Sequence, residues 1–147
     1  MKKKIIIAIL IAASALGVLF NQKLEEMILP EKPVNKDIAF AIYKGANYTA
    51  PVYDKALASV CITVEKVRGN KRTRVWAKTM NTLELNKYPD SKNAVFQQIT
   101  VPNIFDRKEH LEITYTLTYH SKGNELQIQN GETISKGSKS GMVKIPF

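Results

Sequence analysis

From Asp37 onward the apolar residues fall mainly on alternate positions. Ile38, Phe40 and Ile42 alternate with Ala39, Ala41 and Tyr43, and Val60, Ile62 and Val64 alternate with Cys61, Thr63 and Glu65. A period of two puts one set of side chains on each face of a strand, so these are expected half-buried strands. Gly69-Asn70 follows as a two-residue turn signal, and Val75 and Ala77 then alternate with Arg74, Trp76 and Lys78. A two-residue loop there places Val64 opposite Val75, Ile62 opposite Ala77, Thr63 opposite Trp76 and Glu65 opposite Arg74.

A second hairpin repeats the device. Leu111, Ile113, Tyr115, Leu117 and Tyr119 share one face, and Glu112, Thr114, Thr116, Thr118 and His120 share the other. Read with its turn at Gly123-Asn124, this hairpin sets Tyr119 against Ile128. Val95 to Val101 alternates until Pro102, Leu83 and Leu85 suit a short strand, and Val143, Ile145 and Phe147 form a last one. Tyr48 to Lys55, with Pro51 inside it, reads as a loop or edge segment, and Gly131 to Gly141 as a mobile connection rich in Gly, Ser and Lys. No helix is expected after Lys36. Seven or eight short strands of this kind predict an all-β, antiparallel, two-sheet β-sandwich of immunoglobulin-like character. The paired cysteines of antibody-type domains are absent, so the expectation concerns architecture and not family.

The amino-terminal pattern is different. Lys2, Lys3 and Lys4 precede an apolar run from Ile5 to Phe20. Basic residues before such a run read as an export signal. As a helix the run reaches about 24 Å, short of the roughly 30 Å hydrocarbon core. Small residues at Ala13, Ala15 and Gly17 suit cleavage, whereas Val18 to Phe20 continue the apolar stretch and suit an uncleaved anchor helix. Residues 1–20 are therefore a signal peptide or signal anchor, 21–36 a Pro-containing tether and 37–147 the β-sandwich domain. Two helical turns fit Gln22 to Leu29. The lysines stay cytoplasmic, which places the domain in the periplasm, at the cell surface or outside, with membrane contact through residues 5–20 if the signal is retained. No Cys follows the run, so a lipid-anchored lipoprotein is not expected.

Charge and composition then sharpen the picture. The chain has 147 residues, a formal charge of +9, 44% hydrophobic residues and one Cys. This suffices for one packed core and excludes an intramolecular disulfide framework. Without Lys2 to Lys4 the charge falls to +6, an ordinary value for a soluble domain. Export also removes nucleic acid as an expected partner.

Candidate chemistry is sparse. Cys61 lies mid-strand, and the two histidines, His110 and His120, stand at opposite ends of one expected strand, so a thiol nucleophile is not indicated. Metal-binding and serine-hydrolase motifs are missing, and no cofactor is implied. Asp37, Asp54, Asp90 and Asp106 lie in or near turns, where Asp ordinarily bonds the local backbone. Asn47-Tyr48-Thr49 matches a glycosylation sequon; the short Lys-rich signal has bacterial character, so the match is read as chance. The one notable patch is basic: no acid separates Glu65 from Glu84 while Lys66, Arg68, Lys71, Arg72, Arg74 and Lys78 intervene. Arg72, Arg74, Trp76 and Lys78 would share a strand face, the pattern of an anionic-ligand or glycan surface. The plainer reading is a charged hairpin tip that resists edge-to-edge pairing.

These features predict an exported bacterial module without catalytic activity, with a binding or structural role at the cell envelope and an unidentified protein or glycan partner. A small exported hydrolase with two fold-assembled carboxylates is the alternative. A small outer-membrane β-barrel ending at Phe147 is a further one.

Overall fold

The computed structural model describes residues 30–46 and 55–147. The apolar run at 5–20, the helical turns expected at 22–29, the sequon and most of the Tyr48 to Lys55 segment lie outside the described residues. By compactness the chain divides after Lys32. The unit from Pro33 to Phe147 contains β1 (Val34–Tyr43), β2 (Leu57–Arg68), β3 (Lys71–Thr79), β4 (Leu83–Glu84), β5 (Val95–Ile104), β6 (His110–Ser121), β7 (Asn124–Ile134) and β8 (Ser140–Pro146). A 3-10 turn, Leu85–Lys87, follows β4.

The strands form two sheets. The smaller has the order β5-β1-β8, and the larger has β3-β2-β6-β7 with β4 also pairing β2. Alternation builds the core between them. Ile38, Phe40, Ile42, Val143 and Ile145 from the smaller sheet are fully buried with Ala58, Val60, Ile62, Val64 and Leu111 from the larger, in one continuous cluster. The arrangement is sandwich-like, with two separate sheets whose outer strands β3, β7, β5 and β8 have no second neighbour among the described residues.

Four expectations need correction. The sheets are not wholly antiparallel: β1 pairs β8 in parallel, with Phe40 beside Val143 and Ile42 beside Ile145. A parallel pair needs a long connection, and nearly the whole domain lies between these strands. Alternation fixes faces and carries no information on direction. Second, Pro102 does not stop its strand, because β5 runs on to Ile104. It is an edge strand, where a missing N–H is tolerated, and its pairing with β1 shifts register between Val34 and Lys36 beside Asn103 at φ 60°.

Third, the segment read as a mobile connection from Gly131 is mainly strand. Gly131 to Ile134 complete β7, with Ile134 buried opposite Leu111. The actual turn of this hairpin is Lys122-Gly123, both at positive φ, and Ser121 pairs Asn124. Tyr119 therefore faces Leu126, and Ile128 faces Leu117. The displacement is two residues, so every side chain keeps its expected face.

Fourth, the first hairpin is right at its turn and wrong beyond it. Arg68 pairs Lys71 and Glu65 pairs Arg74, as a Gly69-Asn70 turn requires. Past them Val64 pairs Trp76 and Ile62 pairs Lys78. Val75 is the extra residue of a β-bulge, which moves every following side chain to the opposite face. The gain is visible at Trp76: its ring stacks on Phe40 of the smaller sheet with centroids 5.5 Å apart and planes 8° apart.

Candidate functional site

The bulge decides what the basic hairpin presents. Arg72 and Arg74 stay on the outer face of the larger sheet, while Trp76 and Lys78 turn toward the smaller sheet. The four residues expected to share one face are thus divided between two.

On the outer face the arginines meet acids. Arg74 pairs Glu65 across the strands, and Glu65 in turn pairs Glu112 on β6. Arg72 Nη1 donates to Glu112 Oε2 and lies 3.6 Å from Glu65 Oε2. His110 Nε2 is 3.3 Å from Glu112 Oε1. Partial desolvation pushes the Glu112 carboxyl up, but the hydrogen bonds and charges of Arg72 and His110 outweigh it and hold it below the usual range. The hydrogen bond to Glu112 raises the Arg72 guanidinium. A fold-assembled carboxylate pair therefore exists here, on an open sheet face. A glycoside-cleaving pair needs one carboxyl kept protonated near neutral pH, and Glu112 is shifted the opposite way.

Trp76 and Lys78 stand where the outer strand β3 of one sheet approaches the outer strand β5 of the other. Lys78 Nζ donates to Gln97 Oε1 across the gap between the sheets. Beside this bridge a cleft of about 260 Å³ opens, lined by Val75, Trp76, Ile99, Thr100, Val101 and Pro102. Its walls are mainly apolar. Trp76 and Ile99 are half-buried, and Val75 is 38% exposed at its mouth. Thr100 Oγ1 is held by Asp37 Oδ1 at 2.6 Å. The seam thus has apolar walls with a cation at one end, and backbone edges on both sides.

A second hollow of about 260 Å³ is lined by Lys66, Arg68, Lys71, Thr73 and Glu109. Glu109 is nearly buried; its Oε2 accepts the Phe105 N–H at 3.0 Å and lies 3.8 Å from Lys66 Nζ. Three of the basic residues singled out by sequence meet here, compensated in part by this one carboxylate.

The remaining candidates stay apart. Cys61 is exposed on the outer face between Thr79 and Thr116. His120 and His110 lie four and six residues from Thr116 along β6, roughly 13 and 20 Å away, and they approach Glu125 and Glu112 respectively. Among the described residues no cluster of His, Cys, Asp and Glu could hold a metal ion, and no helix is long and apolar enough to cross a membrane. Asp90 caps its turn, accepting from the Lys92 and Asn93 N–H groups at 3.0 Å each. Sequence reasoning missed the cleft because Ile99, Val101 and Pro102 reach Trp76 only through the packing of two edge strands.

No family model matches the chain, no curated protein matches it, and no solved structure matches its fold.

Proposed function

We propose that this chain is a non-catalytic binding module of the bacterial cell envelope that receives a partner polypeptide at the seam between β3 and β5. The carrying observation is the Trp76 cleft, apolar and open between two strand edges that have no second neighbour among the described residues. An extended segment entering such a seam gains main-chain hydrogen bonds from an edge and buries alternate apolar side chains in the cleft. The envelope location rests on Lys2 to Lys4 and the apolar run after them. The immunoglobulin-like character belongs to the same proposal, supported by two sheets of three and five strands. The Arg72 and Arg74 face contributes less than the sequence pattern suggests, because Glu65 and Glu112 already engage it.

Trp76 is the sole tryptophan, so its fluorescence reports on the cleft directly. Titration with a soluble peptide of alternating leucine and serine is expected to shift its emission to the blue and to saturate. Val75→Asp places a carboxylate at the cleft mouth and is expected to weaken this binding at least about tenfold, or about 1.4 kcal/mol. Its melting temperature should stay near wild type, since Val75 is a partly exposed bulge residue. Unchanged emission with the peptide, alongside a response to sulfated oligosaccharide, would assign the site to an anionic ligand instead. Export is tested separately by the amino terminus of native protein: a start near Leu16 or Val18 marks cleavage, and an intact Met1 marks anchoring.

A further inference from the structure

The four outer strands of the two sheets, each without a second neighbour among the described residues, are not equivalent. β3 carries Lys71, Arg72, Arg74, Lys78 and a bulge at Val75. β5 contains Pro102 and a register shift. β8 is seven residues long, with Lys144 and a terminal Pro146. These are the devices by which sheet edges avoid pairing with other chains. β7 has no bulge and its only charges are Glu125 and Glu132. It runs for eleven residues without Lys, Arg or Pro, and its register with β6 is unbroken from Ser121–Asn124 to Leu111–Ile134. It also exposes apolar surface on its inner face: Leu126 is 58% exposed and Ile128 is half-buried.

The hairpin geometry says which backbone groups are available. In a two-residue turn the flanking residues exchange hydrogen bonds. Asn124 therefore points its N–H and C=O at Ser121, and by alternation Leu126, Ile128 and Asn130 also point toward β6. Glu125, Gln127, Gln129 and Gly131 direct theirs away, along an edge with no second neighbour among the described residues.

We infer that β7 pairs antiparallel with β7 of a second copy, about a two-fold axis at Gln127, joining the two larger sheets into one. A two-fold perpendicular to the sheet passes through a directly opposed residue pair, hydrogen-bonded or not. Placed at the outward-bonding Gln127 it makes that central pair a hydrogen-bonded one and gives a self-complementary register. Leu126 of one copy lies opposite Ile128 of the other, twice, so the exposed apolar residues cover each other. Glu125 falls opposite Gln129, and Asn124 opposite Asn130, so no like charges oppose. Glu132 of the second copy runs past the end of β7 beside the Lys122-Gly123 turn, again twice, so opposite charges share each end of the pairing. The Glu125 carboxylate is already held within its own chain, by Gln127 Nε2 at 2.7 Å and beside His120 Nδ1 at 3.4 Å. The same surface on both subunits makes a closed pair that cannot propagate into a fibre.

The inference is independent of the β3/β5 seam, which lies at the opposite edge of the larger sheet. Sedimentation of the full chain is expected to show a dimer at micromolar concentration. Gln127→Pro removes one outward N–H at an edge position that tolerates proline, and should raise the dimer dissociation constant at least tenfold with the far-ultraviolet circular dichroism unchanged. In a Cys61→Ala background, Gln127→Cys should cross-link to a covalent dimer under mild oxidation, because directly opposed residues of a hydrogen-bonded pair are about 5.5 Å apart at Cα. Gln129→Cys, displaced from the axis, should not. A monomer at about 100 μM, a Gln127→Pro protein as dimeric as wild type, or equal cross-linking at both positions would overturn the inference.

Discussion

Asp106→Ala is expected to melt on the order of 15 °C below wild type, because it leaves a buried ammonium without its counter-charge. Lys36 is fully buried on the inner face of β1, two residues before Ile38. Its Nζ lies 2.6 Å from Asp106 Oδ1 and donates to the Ser135 carbonyl at 2.9 Å. Asp106 Oδ2 accepts the Gly137 N–H at 2.8 Å. One cation thereby ties the start of β1 to the β5–β6 connection and to the β7–β8 connection. Removing one partner of a buried pair costs about 3–5 kcal/mol, whereas replacing both by apolar residues is often near neutral. Asp106 keeps 24% exposure, so some water screening remains and the lower end, about 3 kcal/mol, is expected. Lys36→Met combined with Asp106→Leu should recover most of the loss. A single-variant loss under about 1 kcal/mol would show that the pair is not what holds these connections.

The same pair sets an acid limb. The hydrogen bond from Lys36 holds the Asp106 carboxyl below its ordinary value; burial opposes this, and the Gly137 N–H adds to the lowering. A carboxyl depressed in the folded state contributes stability that is complete above its unfolded pKa of about 3.9 and lost as pH falls through the folded value. Wild-type stability should therefore fall more steeply below about pH 4 than that of Asp106→Asn. Glu112 is also depressed and is present in both proteins, so the difference between the two curves isolates Asp106. Parallel curves down to the acid transition would remove Asp106 from the account.

Phe147→Ala is expected to cost about 3–5 kcal/mol, the range for deleting a buried aromatic ring. Phe147 is 2% exposed. Its ring centroid lies 4.1 Å from that of Tyr88 and 6.1 Å from that of Tyr119, the latter edge-on. Its backbone is fixed as well, since its N–H donates to Tyr43 at 2.9 Å and its carbonyl accepts from Gly45 at 3.0 Å. Gly45 must stay small, because a Cβ there would sit 2.7 Å from the Phe147 carbonyl oxygen. Met142, on the same strand segment and 57% exposed, should lose no more than about 0.5 kcal/mol as alanine. Urea midpoints at constant m separate the two, and Phe147→Leu gives an intermediate step if the alanine protein does not fold. Equal effects at Phe147 and Met142 would contradict the packing. This burial also gives the terminal alternation of Val143, Ile145 and Phe147 a physical basis within a sandwich core.

Local chemistry in the sequence was enough to locate most of the strands and, outside β3, their faces. Alternation at Ile38, Phe40 and Ile42, and along the whole of β6, names the buried set correctly, because hydrophobic burial and a period of two act within one strand. Gly69-Asn70 likewise fixes the turn-proximal pairs of its hairpin. The tertiary structure decided what depends on distant neighbours. The bulge at Val75 turns Trp76 inward to stack on Phe40 from the other sheet, and that one residue disperses the Arg72, Arg74, Trp76 and Lys78 face. β1 runs parallel to β8 because a long intervening chain permits it, and the pattern of apolar residues has no direction. Lys36 stands where the period-two pattern had not yet begun, and only Asp106 and Ser135, far along the chain, make its burial tolerable. Each departure is an interaction between residues remote in sequence, whose energy exists only once both elements have been brought together.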